Sequence, residues 1–286
     1  MTRGIGLPAS ALNGDLDRLY AERLLECVRE SSLDAVVLLA QERPYEETGR
    51  LMEDHGTSYV PNEFVLNLAR AHPEFLPAAA IHPARADALE ELERALAGGA
   101  VMMKCLPNCQ NIDTRLPRYR AFWERMADAG LPLLAHTGGE NVLEVVRPDL
   151  ADPRTLTGAL ECGVTVIAAH VGGRSGPFDP CYAHHLPALF ERHPNLYTDI
   201  SALNLPFRAR LFRRCLEAPF RDRLVHGSDF PVPVLGIFAW LHRLVSWKTY
   251  LESRRERNPL ERDYQLKKAM GFPRATFTRV NRLLRA

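Results

Sequence analysis

The sequence has 286 residues, of which 46% are hydrophobic and 25% are charged, and its formal net charge is +1. This length fits one large α/β domain or two small ones. The balanced charge gives no reason to expect a nucleic acid partner. The chain shows no membrane span or signal peptide pattern, and its six cysteines are scattered. We therefore predict a cytoplasmic protein with reduced thiols and no membrane partner.

Apolar runs alternate with helix-like segments along the whole chain. Seven runs are typical of buried parallel strands, starting near Ala35, Leu76, Ala100, Pro132, Val164, Leu196 and Arg223. One helix is predicted before the first strand, at residues 16–29, and others between strands at residues 64–71, 86–96, 119–129, 186–192 and 209–216. Residues 1–14 are predicted to be irregular. The polar residues 41–62 are predicted to form either a lid over a site or an exposed loop.

This alternation favours a (β/α)8 barrel of the TIM type, formed as a single domain over residues 1–286. Its first strand is missing or unrecognised. A doubly wound open sheet is the alternative. The sequence has no glycine-rich phosphate loop after the first predicted strand, which weighs against the nucleotide-binding forms of that alternative.

The chain contains one short pattern twice between residues 131 and 173. Each copy is an apolar run that ends in a histidine, His136 or His170, followed after one residue by a glycine pair. Between the copies, Asp152 is a candidate N-cap of a helix. Ligands of parallel barrels bind beyond the carboxyl ends of the strands, which is where both histidines fall. A single histidine in such a place is more often structural, but two in matched positions favour a site.

Other polar residues also follow predicted strands. The full set at the strand ends is His82, Lys104, His136, His170, Asp199 and Asp229. Imidazole nitrogens and carboxylate oxygens are the ligands that zinc and manganese take. A metal ion held by such ligands lowers the pKa of bound water and makes hydrolysis feasible. The nearby loop residues Asn108, Gln110 and Glu140 are candidate substrate contacts.

Four of these elements together resemble a known family. They are Met103-Lys104, Ala135-His136-Thr137-Gly138, Ala169-His170-Val171-Gly172 and His226-Gly227-Ser228-Asp229-Phe230-Pro231. The chain is similar to the amidohydrolase superfamily, within it to the amidohydrolase-related family that includes aminocarboxymuconate-semialdehyde decarboxylase. The resemblance extends from about Ala35 to the C-terminus, and the segment beginning at His226 is its most specific part.

The resemblance implies a role for each matching residue. His136 would be a metal ligand, and His170 either a ligand of a second metal or a catalytic group that polarises the scissile bond. Asp229 would bind metal and shuttle the proton. Lys104 would be a carboxylated bridge between two metals or, in the preferred interpretation, a cation that binds a substrate carboxylate or supports the structure.

The remaining candidates are less specific. Asp199 would orient His170, since such partners are common around metal-binding imidazoles. His82 is either structural or part of the substrate site, which would also include Asn108 and Gln110. An aromatic-rich segment after Asp229 is open to two interpretations, a homodimer interface or core packing, and core packing is preferred.

The implied function is metal-dependent hydrolysis of an amide, ester or lactone bond in a small molecule. The cofactor would be a divalent metal ion, with zinc preferred and manganese as the alternative. The alternative activity is non-oxidative decarboxylation of an aromatic or unsaturated carboxylic acid, which a carboxylate-binding Lys104 would also suit.

The sequence departs from the family at one point. The family carries His-X-His at the end of its first strand, and both histidines bind metal, but this sequence has no such motif. The leading hypothesis is that the sequence begins after the true first strand. The second is a divergent member that works without that metal, and the third is a catalytically impaired barrel whose mouth only binds a ligand.

Overall fold

A computed structural model describes residues 16–55 and 58–285 of the chain. The predicted irregular segment at residues 1–14 lies outside this part. Within the described residues, no helix combines the length and the apolar character needed to cross a bilayer.

Seven parallel strands form one sheet, in which each strand pairs with its neighbours in sequence. The strands are β1 Val36–Leu39, β2 Phe75–Ala79, β3 Met102–Cys105, β4 Leu133–Ala135, β5 Val166–Ala168, β6 Leu196–Asp199 and β7 Leu224–Val225. All seven predicted strands are confirmed. The sheet curls into a partial barrel with helices outside it, and among the described residues no pairing joins β1 to β7. The predicted barrel short of one strand is confirmed.

Helices separate the strands, as the alternating pattern predicts. They are α1 Leu16–Arg29, α2 Asn62–Ala71, α3 Ala88–Ala97, α4 Pro107–Gln110, α5 Arg120–Asp128, α6 Thr157–Glu161, α7 Leu186–Arg192, α8 Leu211–Cys215, α9 Ile237–Leu241, α10 Trp247–Arg255, α11 Pro259–Ala269 and α12 Arg274–Thr278. Asp152 caps its segment as predicted, because its side chain accepts a hydrogen bond from the Arg154 backbone N–H. The segment differs in being a 3-10 turn followed by the short helix α6.

The inside of the barrel is apolar because alternate residues of each strand point inward. This inner cluster contains Ala78, Met102, Leu134, Ile167, Tyr197 and Val225, together with Val37 and Leu39. Its lower end is closed by Val280, Leu283 and Leu284 from the C-terminal segment. The Arg285 backbone N–H donates to the Val101 carbonyl just before β3, which fixes this segment at the end opposite the strands' carboxyl ends.

The two outer edges of the sheet differ. The edge of β7 is covered by the C-terminal helix, because the His226 N–H donates to the Thr276 carbonyl (2.8 Å) and the Arg279 guanidinium donates to the Leu224 carbonyl. All four residues of β1 are only partly buried. An uncovered apolar edge leaves backbone groups unpaired. Within residues 16–55 and 58–285 no strand pairs with the outer edge of β1, so the described barrel is open on that side.

The polar stretch after β1 is anchored to the barrel. Two isolated antiparallel bridges, Gln41 with Val60 and Tyr45 with Leu51, give it internal structure. The Gln110 side chain donates to the Glu42 carbonyl (2.9 Å). This loop is thereby held against the segment that follows β3.

Candidate active site at the barrel mouth

Six of the predicted residues line one cavity at the carboxyl ends of the strands. They are Lys104, His136, Glu140, His170, Asp199 and Asp229, which come from β3, β4, β5, β6 and β7 or from the residues that follow these strands. The cavity has a volume of about 1920 Å³ and extends along the open side of the barrel to β1. Parallel strands ending at one rim explain why residues far apart in sequence meet here.

His136 directly follows β4, and its ring is buried in the cavity wall. Its Nε2 has no hydrogen-bond partner among the described residues, and the nearest carboxylate oxygen, Oε2 of Glu140, lies 3.7 Å away. Burial holds the pKa of His136 well below its usual value, and the neighbouring His170 and Lys104 act in the same direction. His136 is therefore a neutral imidazole with an unused ring nitrogen.

His170 is fixed by Asp199, the last residue of β6, and by Ser201 in the loop that follows. Its backbone N–H donates to Oδ1 of Asp199 (2.8 Å), and the Ser201 hydroxyl donates to the same oxygen (2.5 Å). The His170 Nδ1 lies 2.9 Å from the Ser201 hydroxyl oxygen and 3.1 Å from the Ser201 carbonyl oxygen. Because the hydroxyl proton is already given to Asp199 and a carbonyl only accepts, Nδ1 must carry the proton.

This tautomer leaves Nε2 of His170 unprotonated. Burial lowers the pKa of His170, although the charge of Asp229 acts to raise it. The ring is therefore neutral, with its Nε2 lone pair free. The centroids of the His136 and His170 rings lie 5.0 Å apart. Asp199 contacts His170 through the backbone N–H and through Ser201 rather than by a direct bond to the ring.

Backbone strain is concentrated at the mouth. Four non-glycine residues after β5, β6 and β7 have left-handed backbone angles: His170 (φ 61°), Val171 (φ 56°), Ala202 (φ 51°) and Asp229 (φ 59°). Each such residue costs on the order of 1–3 kcal/mol and persists only where its surroundings enforce it. Two of these residues are the predicted catalytic pair, which supports the assignment of the mouth as the functional site.

Lys104 and Arg208 both line this cavity, and neither has an ion-pair partner in the described part of the chain. Arg208 is only 3% exposed; it donates to the Gly139 carbonyl (2.9 Å) and the Ser175 hydroxyl (3.3 Å), and its Nε has no partner. Lys104 points inward from β3, in register with Leu134. Burial lowers the pKa of Arg208. Burying the Arg208 guanidinium without an ion-pair partner costs free energy, so its position favours an anionic ligand beside it.

Three of the predicted substrate contacts are placed elsewhere. His82 is fully buried, with Nε2 2.8 Å from the Gln110 carbonyl and Nδ1 accepting from the Ala84 N–H (3.0 Å). The Gln110 side chain accepts a hydrogen bond from the Leu106 N–H and donates one to the Glu42 carbonyl. Asn108 is buried, and its carbonyl accepts from the N–H groups of two loop residues. None of these three residues lines the cavity described above. They hold the loop after β3.

The comparison with protein families decides the identity of this barrel. The family model described as Amidohydrolase matches residues 45–240, which is more than half of the chain. The chain belongs to the amidohydrolase family. No curated protein sequence matches this amidohydrolase significantly.

Solved structures support the same fold. An uncharacterised TIM-barrel protein from Bordetella bronchiseptica is 20% identical, with a TM-score of 0.57 over 93% of this chain and 89% of that chain. A probable 2-pyrone-4,6-dicarboxylic acid hydrolase from Acinetobacter baumannii, with citric acid bound, is 14% identical, with a TM-score of 0.55 over 89% and 86%. At these identities the similarity establishes the barrel fold alone.

The metal site expected for an amidohydrolase does not fit the described residues. Members of this family usually depend on a divalent metal ion. A catalytic zinc site uses three protein ligands with an open fourth position. Among residues 16–55 and 58–285, no three histidine, cysteine, aspartate or glutamate side chains are grouped closely enough to hold an ion. The orphaned Nε2 of His136 is a suitable donor, but the donor set around it is incomplete.

Two residues of the mouth, Ser201 and Arg208, were not predicted. Ser201 lies only two residues beyond Asp199, so its polar side chain close to the end of a predicted strand is the sequence signal for it. Arg208 is further along the same loop and resembles any surface arginine in sequence. Only its burial in the structure makes it a candidate for anion binding.

Proposed function

We propose that this amidohydrolase cleaves an ester, amide or lactone bond in a small carboxylic acid bound at the barrel mouth. The observation that carries the proposal is the chain of hydrogen bonds from Asp199 through Ser201 to His170. It supplies a neutral, buried imidazole whose Nε2 is free to accept a proton at the cavity. A nucleophile is usually activated by a base that a further side chain holds in position by a hydrogen bond.

In the proposed reaction His170 is the base. Its Nε2 takes a proton from a water molecule as the water oxygen attacks the substrate carbonyl carbon. The charge of Asp229 raises the pKa of His170 and so stabilises the imidazolium that forms. The same proton then passes to the leaving oxygen or nitrogen as its bond to carbon breaks. The resemblance alone implied the opposite assignment, with Asp229 as proton shuttle, but the tautomer of His170 favours His170 as acceptor.

The two unpaired cations would hold the negative charge of the substrate and of the reaction. A carboxylate next to Arg208 would satisfy its free Nε, and charge-assisted hydrogen bonds to guanidinium are strong and directional. Lys104, on the barrel wall, is available for a second carboxylate oxygen or for the oxyanion that develops on the attacked carbonyl. The hydrolase from Acinetobacter baumannii also acts, by its description, on a dicarboxylic acid. These features together favour an anionic substrate.

A second candidate is decarboxylation of a small unsaturated acid. The walls below the polar rim are apolar, with Met102, Leu134 and Ile167 lining the cavity. Loss of carbon dioxide is favoured where a carboxylate is moved out of water into such surroundings while another group of the substrate is held. The two reactions differ in product, since only decarboxylation releases carbon dioxide.

The metal dependence typical of the family belongs to this proposal as an expectation, with zinc preferred and manganese as the alternative. Because the described donors do not complete a site, no step above uses a metal. Elemental analysis of the purified protein tests this expectation directly.

Turnover of carboxylated lactones and esters tests the proposed activity. 2-Pyrone-4,6-dicarboxylate is the first probe, with ring opening followed by absorbance and carbon dioxide release measured in parallel. We expect ring opening that His170→Gln reduces by about 100-fold or more. Carbon dioxide release would replace the hydrolase proposal with the decarboxylase. Equal rates for the wild type and His170→Gln would contradict both.

A further inference from the structure

A buried cluster of charged and polar side chains lies behind the mouth, centred on two residues that do not line the cavity. Asp263 and Lys267, one turn apart on α11, both have fully buried side chains. The Lys267 Nζ lies 2.6 Å from Oδ2 of Asp263 and also donates to the Gly227 carbonyl (2.8 Å). The reaction proposed above uses neither residue.

Both carboxylate oxygens of Asp263 are engaged by other parts of the chain. Oδ1 accepts from the Asn204 amide (2.6 Å), and Oδ2 accepts from Nε2 of His226 (3.1 Å) as well as from Lys267. Burial acts to raise the pKa of Asp263, but Lys267 and His226 outweigh it and lower the pKa. The carboxylate is therefore ionised and acts as a common acceptor for three donors.

The three donors come from separate segments. Asn204 belongs to the loop after β6, and His226 directly follows β7, while Lys267 belongs to α11. A buried ion pair contributes little net stability, because removing two charges from water offsets their attraction. Such a pair can instead select one arrangement of the segments it joins. The arrangement selected here is the relative position of two loops.

Those two loops carry the proposed catalytic groups. The first contains Ser201, which sets the tautomer of His170, and the left-handed Ala202, only two residues before Asn204. The second runs from His226 to the left-handed Asp229. Neither strained residue keeps its conformation unless the surrounding structure holds it. Asp263 bonds to each loop at a residue, Asn204 or His226, that lies no more than three positions from the strained residue of that loop.

We propose that Asp263 is a positioning residue that fixes the loops after β6 and β7 to each other, with Lys267 as its counter-ion. Through Asn204 it holds the Ser201 support of His170, and through His226 and the Lys267 contact to Gly227 it holds the segment leading to Asp229. It touches no substrate. The kinetic part of this inference rests on the proposed function, whereas the structural part does not.

The test compares two double variants. Asp263→Asn with Lys267→Met removes both buried charges together, so no lone charge is left inside. The matched control is Glu252→Gln with Lys248→Met. It removes an exposed ion pair on α10 whose residues are also four positions apart, with Nζ and Oε1 separated by 3.9 Å. Thermal unfolding monitors the fold. Nitrogen-15 NMR of the imidazoles monitors the His170 tautomer without any substrate, and kinetics on the active probe monitor turnover.

We expect the buried double variant to fold and to lose the fixed Nδ1–H tautomer of His170. Its kcat should fall about tenfold or more, with KM within about twofold, because misplaced catalytic groups affect the chemical step more than binding. The control should match the wild type in every readout. A folded double variant with unchanged His170 resonances and unchanged kcat overturns the proposal.

A second variant keeps the proposal falsifiable if the double variant does not fold. Asn204→Leu removes the contact to Oδ1 of Asp263 but leaves the ion pair and His226 in place. We expect it to alter the His170 resonances, and unaltered resonances would overturn the proposal. If the wild type shows no turnover on any probe, the proposed function fails, but the imidazole spectra still decide the positioning role.

Discussion

Ser201 holds His170 in one tautomer, because its hydroxyl proton is committed to Asp199 and its two oxygens, 2.9 and 3.1 Å from Nδ1, can only accept. The proton of the imidazole is thereby kept on the side away from the cavity. The free lone pair on Nε2 is a direct consequence of this contact.

Removal of the Ser201 hydroxyl should weaken catalysis without unfolding the protein. In Ser201→Ala the backbone carbonyl still accepts from Nδ1, so part of the tautomer preference remains. We expect kcat on the active probe to fall by about tenfold, with KM little changed. Ser253→Ala is the control, since its hydroxyl donates to the Tyr250 carbonyl on α10 and Ser253 does not line the cavity. Equal kcat values for the two variants would contradict the role of Ser201.

Replacement of Arg208 should reduce anion binding more than stability. Arg208→Met removes a buried cation that has no ion-pair partner, which should stabilise the fold, and it removes two hydrogen bonds, which should destabilise it. Because these two effects offset each other, the free energy of unfolding should stay within about 1 kcal/mol of the wild type. The Kd for a carboxylate probe such as citrate should rise by about 30-fold or more. Calorimetric titration measures this change.

The control for Arg208 is Arg221→Met, which removes an exposed arginine that lies 3.5 Å from Asp222. Its citrate affinity should equal that of the wild type. If Arg208→Met and Arg221→Met bind citrate equally well, the mouth does not use Arg208 for anions.

Acid should destabilise the protein through its buried histidines, with His82 as the clearest case. Burial lowers the pKa of His82 from 6.5 to about 4. The stabilisation from this neutral ring is fully present above pH 6.5. It is lost as the pH falls from 6.5 to 4, where the unfolded chain takes up a proton and the folded chain does not. The loss amounts to about 3 kcal/mol.

Urea unfolding at pH 7.5 and pH 5.0 measures this effect. The free energy of unfolding should fall less between these pH values in His82→Gln than in the wild type. His184→Gln, at an exposed position, should leave the pH dependence unchanged. A pH dependence of His82→Gln as steep as that of the wild type would show that His82 titrates normally in the folded protein.

The sequence predicts the parts of this structure that depend on local pattern. Seven apolar runs become seven strands, since buried parallel strands require continuous apolar residues. His136 is placed correctly because it directly follows β4. His82 follows β2 by three residues, and in that interval the chain turns away from the cavity, which the pattern does not encode.

The supporting residues could not be predicted because their contacts join distant segments. Arg208 bonds to Gly139, and Asp263 bonds to Asn204, across 69 and 59 positions of sequence respectively. Local spacing carries no signal for such pairs. Their burial and their partners become evident only when the barrel is assembled.

The protonation of His170 tests the account most directly. Long-range nitrogen-15 NMR at neutral pH, with the resonance assigned by its loss in His170→Gln, reports which ring nitrogen carries the proton. The account predicts a neutral ring with the proton on Nδ1 and a free Nε2. A proton on Nε2, or a charged ring at neutral pH, would contradict the assignment of His170 as the proton acceptor of this site.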